Sequence, residues 1–252
     1  MQMPKAPSDR LITKLNARIT SADTDMYKRI RLSPLVNFLI QSAIQSADSL
    51  GFGFRDLVDR NLFWVLSRLT LEIDSALYWY DEIIVETWPK TIHGILYIRD
   101  FHVRDKQGRI IVRASSGWLS IDLQRKRPSR RLSEENPAIF TELKERHALA
   151  DLPEKLDPAT AEKTFELHPG YFDIDLNQHV TSSRYIDWMM DSFGFEFHRD
   201  HYPKKLTVNY IKETLPGEYL QIRRQEKTNR IFLFEGINRN TNSSAFRGKI
   251  DF

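Results

Sequence analysis

The chain has 252 residues, and 37 Lys+Arg against 34 Asp+Glu give a formal net charge of +3. Hydrophobic residues at 41% and charged residues at 28% are globular usage, which excludes a disordered or fibrous chain and supports a core that needs no staples. With no cysteine, disulfides, thiolate metal sites and a cysteine nucleophile are excluded, which suits a reducing compartment. No apolar run approaches the roughly 18 residues of a membrane span, and Met1-Gln-Met-Pro-Lys-Ala-Pro7 lacks the apolar core of a secretion signal. The expectation is a cytoplasmic protein.

Taken in chain order, the first predicted element is a helix that begins at Ser33-Pro34, a capping residue followed by the residue favoured in a first turn. Its apolar stripe is Leu35, Val36, Leu39, Ile40, Ala43 and Ala47, and it ends near Gly51. Runs rich in β-branched residues follow, predicting strands at Trp64–Ile73, Glu82–Trp88 and Ile95–Val103. A hairpin turn at Asp105–Gly108 leads to a returning strand at Arg109–Ile121. Positive charge is densest at Arg125-Lys-Arg-Pro-Ser-Arg-Arg131. That run is short and carries no interleaved aromatic ring, so it reads as a solvated strand end or a protein-docking patch and not as a nucleic-acid stripe.

From Ser133 to Glu162 the prolines at 137, 153 and 158 and the many charges read as a linker, with a short helix expected around Ile139–Leu149. The pattern then repeats. A strand is predicted at Thr164–His168, a helix at Thr181–Phe193, and strands at Leu206–Lys212, Tyr219–Arg224, Arg230–Ile237 and Ala245–Phe252. Leu69-Thr70-Leu71 matches Leu206-Thr207-Val208, and the acidic residues Asp81 and Glu218 then fall at the same offset. Such repetition favours a duplicated α+β unit, each a long helix against an antiparallel sheet.

The chemistry concentrates in Tyr171-Phe-Asp-Ile-Asp-Leu-Asn-Gln-His-Val-Thr-Ser-Ser-Arg-Tyr-Ile-Asp-Trp188. An extended chain here places Asp173, Asp175, Asn177 and His179 on one face. Thr181 or Ser182 then caps a helix whose Tyr185, Ile186, Met189 and Phe193 form a buried stripe. A polar row at the positive end of a helix can hold a carbonyl oxygen as it becomes an oxyanion. Caps and turns use the same residue types, so this pattern alone leaves a structural reading open.

Asp175-Leu-Asn177-Gln-His179-Val180, followed by Tyr185 and Trp188, resembles the signature of acyl-acyl-carrier-protein thioesterases of the plant and bacterial type. Glu86-Thr-Trp88, Gly94, Arg99-Asp100, Ala114-Ser-Ser-Gly-Trp118 and Asp122–Arg131 are similar to that family's first half. Leu206-Thr-Val-Asn-Tyr210-Ile-Lys-Glu213 is similar to its second. The resemblance implies a tandem (double) hotdog, two long helices each wrapped by an antiparallel β-sheet. Its halves would be an N-terminal hotdog at 10–132 for acyl-chain binding and a catalytic C-terminal hotdog at 163–252, joined by a linker at 133–162. It implies hydrolysis of fatty acyl-acyl carrier protein on its phosphopantetheine arm, with Asp175, Asn177, His179 and Glu213 as the catalytic set and no cofactor or metal. A homodimer is compatible with the sequence.

Two departures matter. Thr181 stands where many relatives have Asn, and Thr214 stands where a cysteine often follows the acidic residue, so the papain-like scheme once drawn for that cysteine cannot operate here. Superposing the helix starts Ser33 and Ser182 puts Asp175, Asn177 and His179 on Met26, Lys28 and Ile30, and the strand offset puts Glu213 on Ala76. One active site, in the second half, is the expectation. An acyl-CoA thioesterase of the same fold and a non-catalytic acyl-thioester binder are the alternatives. There is no Gly-x-Ser-x-Gly elbow and no phosphate loop, and His198-Arg-Asp-His201 lacks a third ligand and reads as an exposed polar turn.

Overall fold

A computed structural model describes residues 7–160 and 162–252; the N-terminal segment read above for a secretion signal lies outside the described residues from Met1 to Ala6. In chain order the first half holds β1 (Thr13–Arg18), α1 (Leu32–Ser49), α2 (Phe54–Asp59), β2 (Leu62–Ile73), β3 (Glu82–His93), β4 (Leu96–Arg104), β5 (Ile110–Asp122), the two-residue β6 (Arg127–Pro128) and α3 (Arg131–Glu135). The second holds β7 (Lys163–Leu167), α4 (Ser182–Asp191), α5 (Phe195–Asp200), β8 (Lys205–Tyr210), β9 (Leu220–Thr228), β10 (Ile231–Asn238) and β11 (Ser243–Asp251).

The strands form one continuous sheet in the order β1-β3-β4-β5-β2-β8-β11-β10-β9-β7, with β6 added to β5. Read from its centre outward, the order is the same in both halves, so the second half is a copy of the first. The copies join where β2 meets β8 antiparallel, Thr70 opposite Thr207, their hydroxyls 3.2 Å apart in the buried interior. The Leu69-Thr70-Leu71 to Leu206-Thr207-Val208 match is thus the register of a local two-fold axis.

α1 lays Leu35, Val36, Leu39, Ala43 and Ala47, all buried, against the sheet, and it also packs against α4 and α2. Both helices share one apolar cluster, in which Ile83, Val85, Phe101 and Val103 from the first sheet meet Tyr185, Ile186, Met189, Phe234 and Phe246 from the second half. Packing is close under α4, where a Cβ on Gly248 would lie 2.1 Å from the Met189 sulfur. The N-cap of α1 is Arg31, not Ser33; Ser33 instead donates its hydroxyl to Asp187 of α4 and ties the helices together. Gly51, at φ +77°, ends the helical region as expected.

The segment between the halves departs from the sequence reading. No helix spans 139–149; a 3-10 turn at Pro137–Phe140 is followed by turns, because no 3.6-residue apolar stripe is available to bury one. The segment is nonetheless held. Phe140 joins the cluster of Leu62, Tyr97 and Leu132, while Leu143 and Ala148 pack with the fully buried Trp88. On that outer face Asp100 accepts from the Ala148 amide at 2.8 Å and pairs with the buried Lys90 ammonium at 3.0 Å.

Candidate active site

Residues 175–180 are not extended. Asp175 Oδ1 accepts from the amides of Asn177 at 2.8 Å and His179 at 3.4 Å, and the Asp175 amide donates to the His179 carbonyl at 2.8 Å. Gln178 takes the left-handed conformation at φ +63°. Ile174 and Val180 close the loop as an isolated antiparallel bridge. Local side-chain bonds of this kind outcompete strand alternation, so the expected one-face row of Asp173, Asp175, Asn177 and His179 is replaced by a tight turn. Asp175 acts on its neighbours through their backbone.

The turn delivers His179 and Val180 to the start of α4. Its N-cap is Thr181, which makes no side-chain cap bond, and the Thr181 amide donates to the Asp173 carbonyl at 2.9 Å. Arg184 in the first turn pairs with Asp173 at 2.6 Å and with Asp187 at 2.5 Å, fixing the helix start on the preceding loop. The predicted stripe forms: Tyr185, Ile186 and Met189 are buried, and Phe193 stacks on Phe197 with ring centroids 4.6 Å apart.

Glu213 is reached from the other direction. β8 ends at Tyr210, so Glu213 lies on the loop after the strand and not within it. The Val180 amide donates to the Thr214 carbonyl at 2.9 Å, which places His179 and Glu213 one residue each from a hydrogen-bonded pair. The loop is braced by Glu218, which accepts from the Leu215 amide at 2.7 Å and from Asn238 Nδ2 at 2.7 Å. Thr214 is fully buried. Tyr185 lies against it, its phenol pushed up to about 12 by burial, with the Glu213 charge adding to that shift. The side chains of Asn177, His179 and Glu213 hydrogen-bond to no protein group among the described residues.

The two-fold axis supplies a built-in comparison. In the first half Asp25 Oδ1 accepts from the Tyr27 and Arg29 amides at 2.8 and 2.9 Å, Lys28 is left-handed at φ +65°, and the Ile30 amide donates to the Leu77 carbonyl at 2.8 Å. The partners of Asp175, Asn177 and His179 are therefore Asp25, Tyr27 and Arg29, one residue earlier than the superposition on Ser33 placed them. The repeated Asp23-x-Asp25 and Asp173-x-Asp175 carried that signal. Glu213 does fall on Ala76, since Val180–Thr214 and Ile30–Leu77 are equivalent bonds.

The first-half turn is closed. Arg29, where the second half has His179, pairs with Asp25 at 2.8 Å and donates to the carbonyls of His198 and His201 at the end of α5, at 2.5 and 3.4 Å. Tyr202 covers the same place, its hydroxyl donating to the Ile30 carbonyl at 2.8 Å. The two histidines flagged for metal are spent otherwise. They lie on and beside α5 rather than in a polar turn, with His198 Nε2 3.0 Å from the Met190 carbonyl and His201 Nδ1 2.9 Å from that of Phe197. No cluster of metal-ligating side chains occurs among the described residues.

A helix wrapped by a five-stranded antiparallel sheet, repeated about a two-fold axis in one chain, defines a tandem hotdog protein. The acyl-ACP thioesterase N-terminal domain matches residues 11–139 and the C-terminal domain of the same family matches residues 156–252; the chain belongs to the acyl-ACP thioesterase family. A chloroplastic palmitoyl-acyl carrier protein thioesterase of Gossypium hirsutum is 30% identical over 233 residues, 86% of this chain and 55% of the relative. The chain thus spans about half the length of the curated relatives it matches. An acyl-ACP thioesterase from Bacteroides thetaiotaomicron, known by crystal structure, superposes with a TM-score of 0.84 at 27% identity, covering 98% of this chain and 100% of that one. The 12:0-ACP thioesterase of Umbellularia californica, at 22% identity, shares the fold with a TM-score of 0.82 over 96% of each chain. No described helix is long and apolar enough to cross a membrane.

Proposed function

We propose that the chain hydrolyses a fatty acyl thioester carried on the phosphopantetheine arm of acyl carrier protein, with one active site formed by the 175–180 turn and the 211–215 loop. The observation that carries this reading is the difference between the two turns. One is plugged by the Arg29–Asp25 pair and α5; its twin presents the side chains of Asn177 and His179, which have no protein partner among the described residues, next to the loop of Glu213. In this reading Asn177 and an amide of the first turn of α4 polarise the thioester carbonyl. Glu213, with His179, takes a proton from water as its oxygen attacks the carbonyl carbon. The tetrahedral adduct then collapses, the carbon–sulfur bond breaks, and the thiolate leaves and is protonated. Asp175 holds the turn. The products are a free fatty acid and the carrier thiol, and the first half holds the acyl chain.

The carrier is acidic, and the basic run gives it a surface. Arg125, Arg127, Arg130 and Arg131, with Asp122 and Glu134, line an open groove of about 490 Å³. Because Leu62 pairs with Asp122 and Arg68 with Asn209, the groove lies at the end of the sheet from which the Glu213 loop departs. Charge complementarity at such a patch acts on encounter more than on chemistry. The test is thiol release from acyl carrier protein and acyl-CoA over a series of chain lengths, in the wild type and in the Arg130→Glu/Arg131→Glu variant. The carrier-bound substrate should be the better one, with its apparent KM raised about tenfold or more in the variant and a small free thioester unaffected. Binding without release identifies a binder, preference for acyl-CoA identifies the other hotdog activity, and equal loss on both substrates argues against docking.

A further inference from the structure

The two halves differ at a second place that the hydrolytic chemistry does not use. Each site-forming turn follows a short 3-10 turn, Ser21–Asp23 in the first half and Tyr171–Asp173 in the second. The backbones are built alike. Asp23 and Asp173 each accept the amide of the residue that caps the turn, Thr20 at 2.8 Å and Gly170 at 2.6 Å. Their carbonyls accept the amides of Arg31 and Thr181, both at 2.9 Å. Tyr171 and Phe172 therefore stand where the first half has Ser21 and Ala22. All four are exposed, so the fold does not require aromatic rings here.

The rings are nevertheless almost wholly in water, Tyr171 at 88% and Phe172 at 91% exposure. They meet each other edge to face with centroids 5.4 Å apart. Ile211, on the loop of Glu213, is exposed as well. The equivalence of the Val180–Thr214 and Ile30–Leu77 bonds puts it on Asp74, which pairs with Arg113 at 2.6 Å. Exposed Leu176 and Leu215 extend the apolar surface, and they have apolar counterparts in Met26 and Tyr78. The difference between the halves thus lies in Tyr171, Phe172 and Ile211. Single apolar residues are ordinary on a surface, but a group gathered at one site and replaced by small or polar residues at its twin marks an interaction face.

Whatever presents a thioester to the 175–180 turn and the Glu213 loop sits against this rim. A second copy seated here would cover Asn177 and Glu213, both exposed, and shut the site. A membrane surface is opposed by Asp175 and Glu213, carboxylates set among the apolar side chains, where interfacial segments use Lys and Arg. The basic groove of Arg125–Arg131 lies at the same end of the sheet and suits an acidic partner. We propose that Tyr171 and Phe172, with Ile211, form the short-range half of the carrier-protein interface, packing on apolar side chains beside the carrier's prosthetic arm. The inference rests on the proposed hydrolysis of a carrier-bound thioester. Arginines and rings then divide the work: charge speeds encounter, and desolvated rings slow release.

The test gives the second half its twin's residues, Tyr171→Ser with Phe172→Ala. Because Ser21 and Ala22 sit on the same backbone, Tm should not fall. Apparent KM for acyl-acyl carrier protein and Kd for unacylated holo-carrier should both rise about tenfold or more, with hydrolysis of an acyl-pantetheine thioester unchanged. Raising salt should leave this ratio to wild type in place and shrink that of Arg130→Glu/Arg131→Glu, since apolar contact is not screened. Adding Ser21→Tyr and Ala22→Phe to the variant should restore nothing, because those positions flank the closed turn. Unchanged KM and Kd overturn the proposal, and so does an equal loss on acyl-pantetheine. A variant that loses binding to phosphatidylglycerol vesicles, or loses a dimer, while keeping its affinity for the carrier overturns it in favour of a membrane or a second copy. Failure of the proposed hydrolysis looks different: holo-carrier affinity would still fall tenfold in the variant, with no thiol released from any thioester.

Discussion

Replacing Glu213 by glutamine should lower kcat for thioester hydrolysis by roughly 10²–10⁴-fold and leave the fold intact. Glu213 is exposed and its carboxylate makes no hydrogen bond among the described residues, so its loss removes no contact seen there, and glutamine keeps the shape while removing the base. The effect should fall on kcat with KM little changed, because an activating base acts in the transition state and not in binding. Steady-state kinetics alongside a thermal melt separate this from misfolding. Turnover within threefold of wild type would remove the carboxylate from the mechanism and move the water-activating role to His179 alone.

The second large effect is on stability. Lys90→Met should destabilise the protein by about 3–5 kcal/mol, roughly 6–20 °C in Tm. Lys90 and Asp100 are 3% and 0% exposed and pair at 3.0 Å, so the substitution strands a carboxylate in the interior. Asp100 also receives the Ala148 amide, and the same change should therefore loosen the segment between the halves, visible as faster amide exchange at Ala148. Adding Asp100→Asn should recover most of the loss. It removes the uncompensated charge while keeping an acceptor for Ala148, and its failure to rescue would mean that the ion pair is not what holds this face.

Much of the architecture was legible in the chain. The β-rich runs and the helices were readable from their apolar patterns, and the Leu69-Thr-Leu71 repeat marked the duplication; that these two strands pair with each other, Thr70 opposite Thr207, is shown by the structure. Asp81 and Glu218, noticed only as matching acids, turn out to brace equivalent loops, Asp81 accepting from the Tyr78 amide as Glu218 does from that of Leu215. β1, with its alternation of partly buried and exposed residues, gave too weak an apolar signal to be read as a strand, as edge strands commonly do.

The candidate site was half legible. Residue identities were available, but the backbone was misread, because an aspartate that bonds amides two and four residues ahead makes a turn out of what alternation alone describes as a strand. The turn also moves the internal correspondence by one residue, from Met26, Lys28 and Ile30 to Asp25, Tyr27 and Arg29. Aligned on Met26, Lys28 and Ile30, the first half looked merely empty. Aligned on Asp25, Tyr27 and Arg29, it is the same turn with an arginine closing it, and Asp175 becomes a residue whose framework role is shared by a turn with no catalytic set. Nothing in the local sequence showed that α5 would cover one turn and not the other, since that depends on packing between segments about 170 residues apart.

The most direct measurement is a matched pair of substitutions at the equivalent positions, with single-turnover hydrolysis of acyl-acyl carrier protein normalised to folded protein. His179→Ala should lower the rate at least a hundredfold without a large change in Tm. Arg29→Ala should lower Tm, because it removes the Asp25 pair and two carbonyl contacts, yet leave the rate per folded molecule within threefold. An active His179→Ala enzyme, or an Arg29→Ala protein that is folded but inactive, would contradict a single hydrolytic centre in the second half.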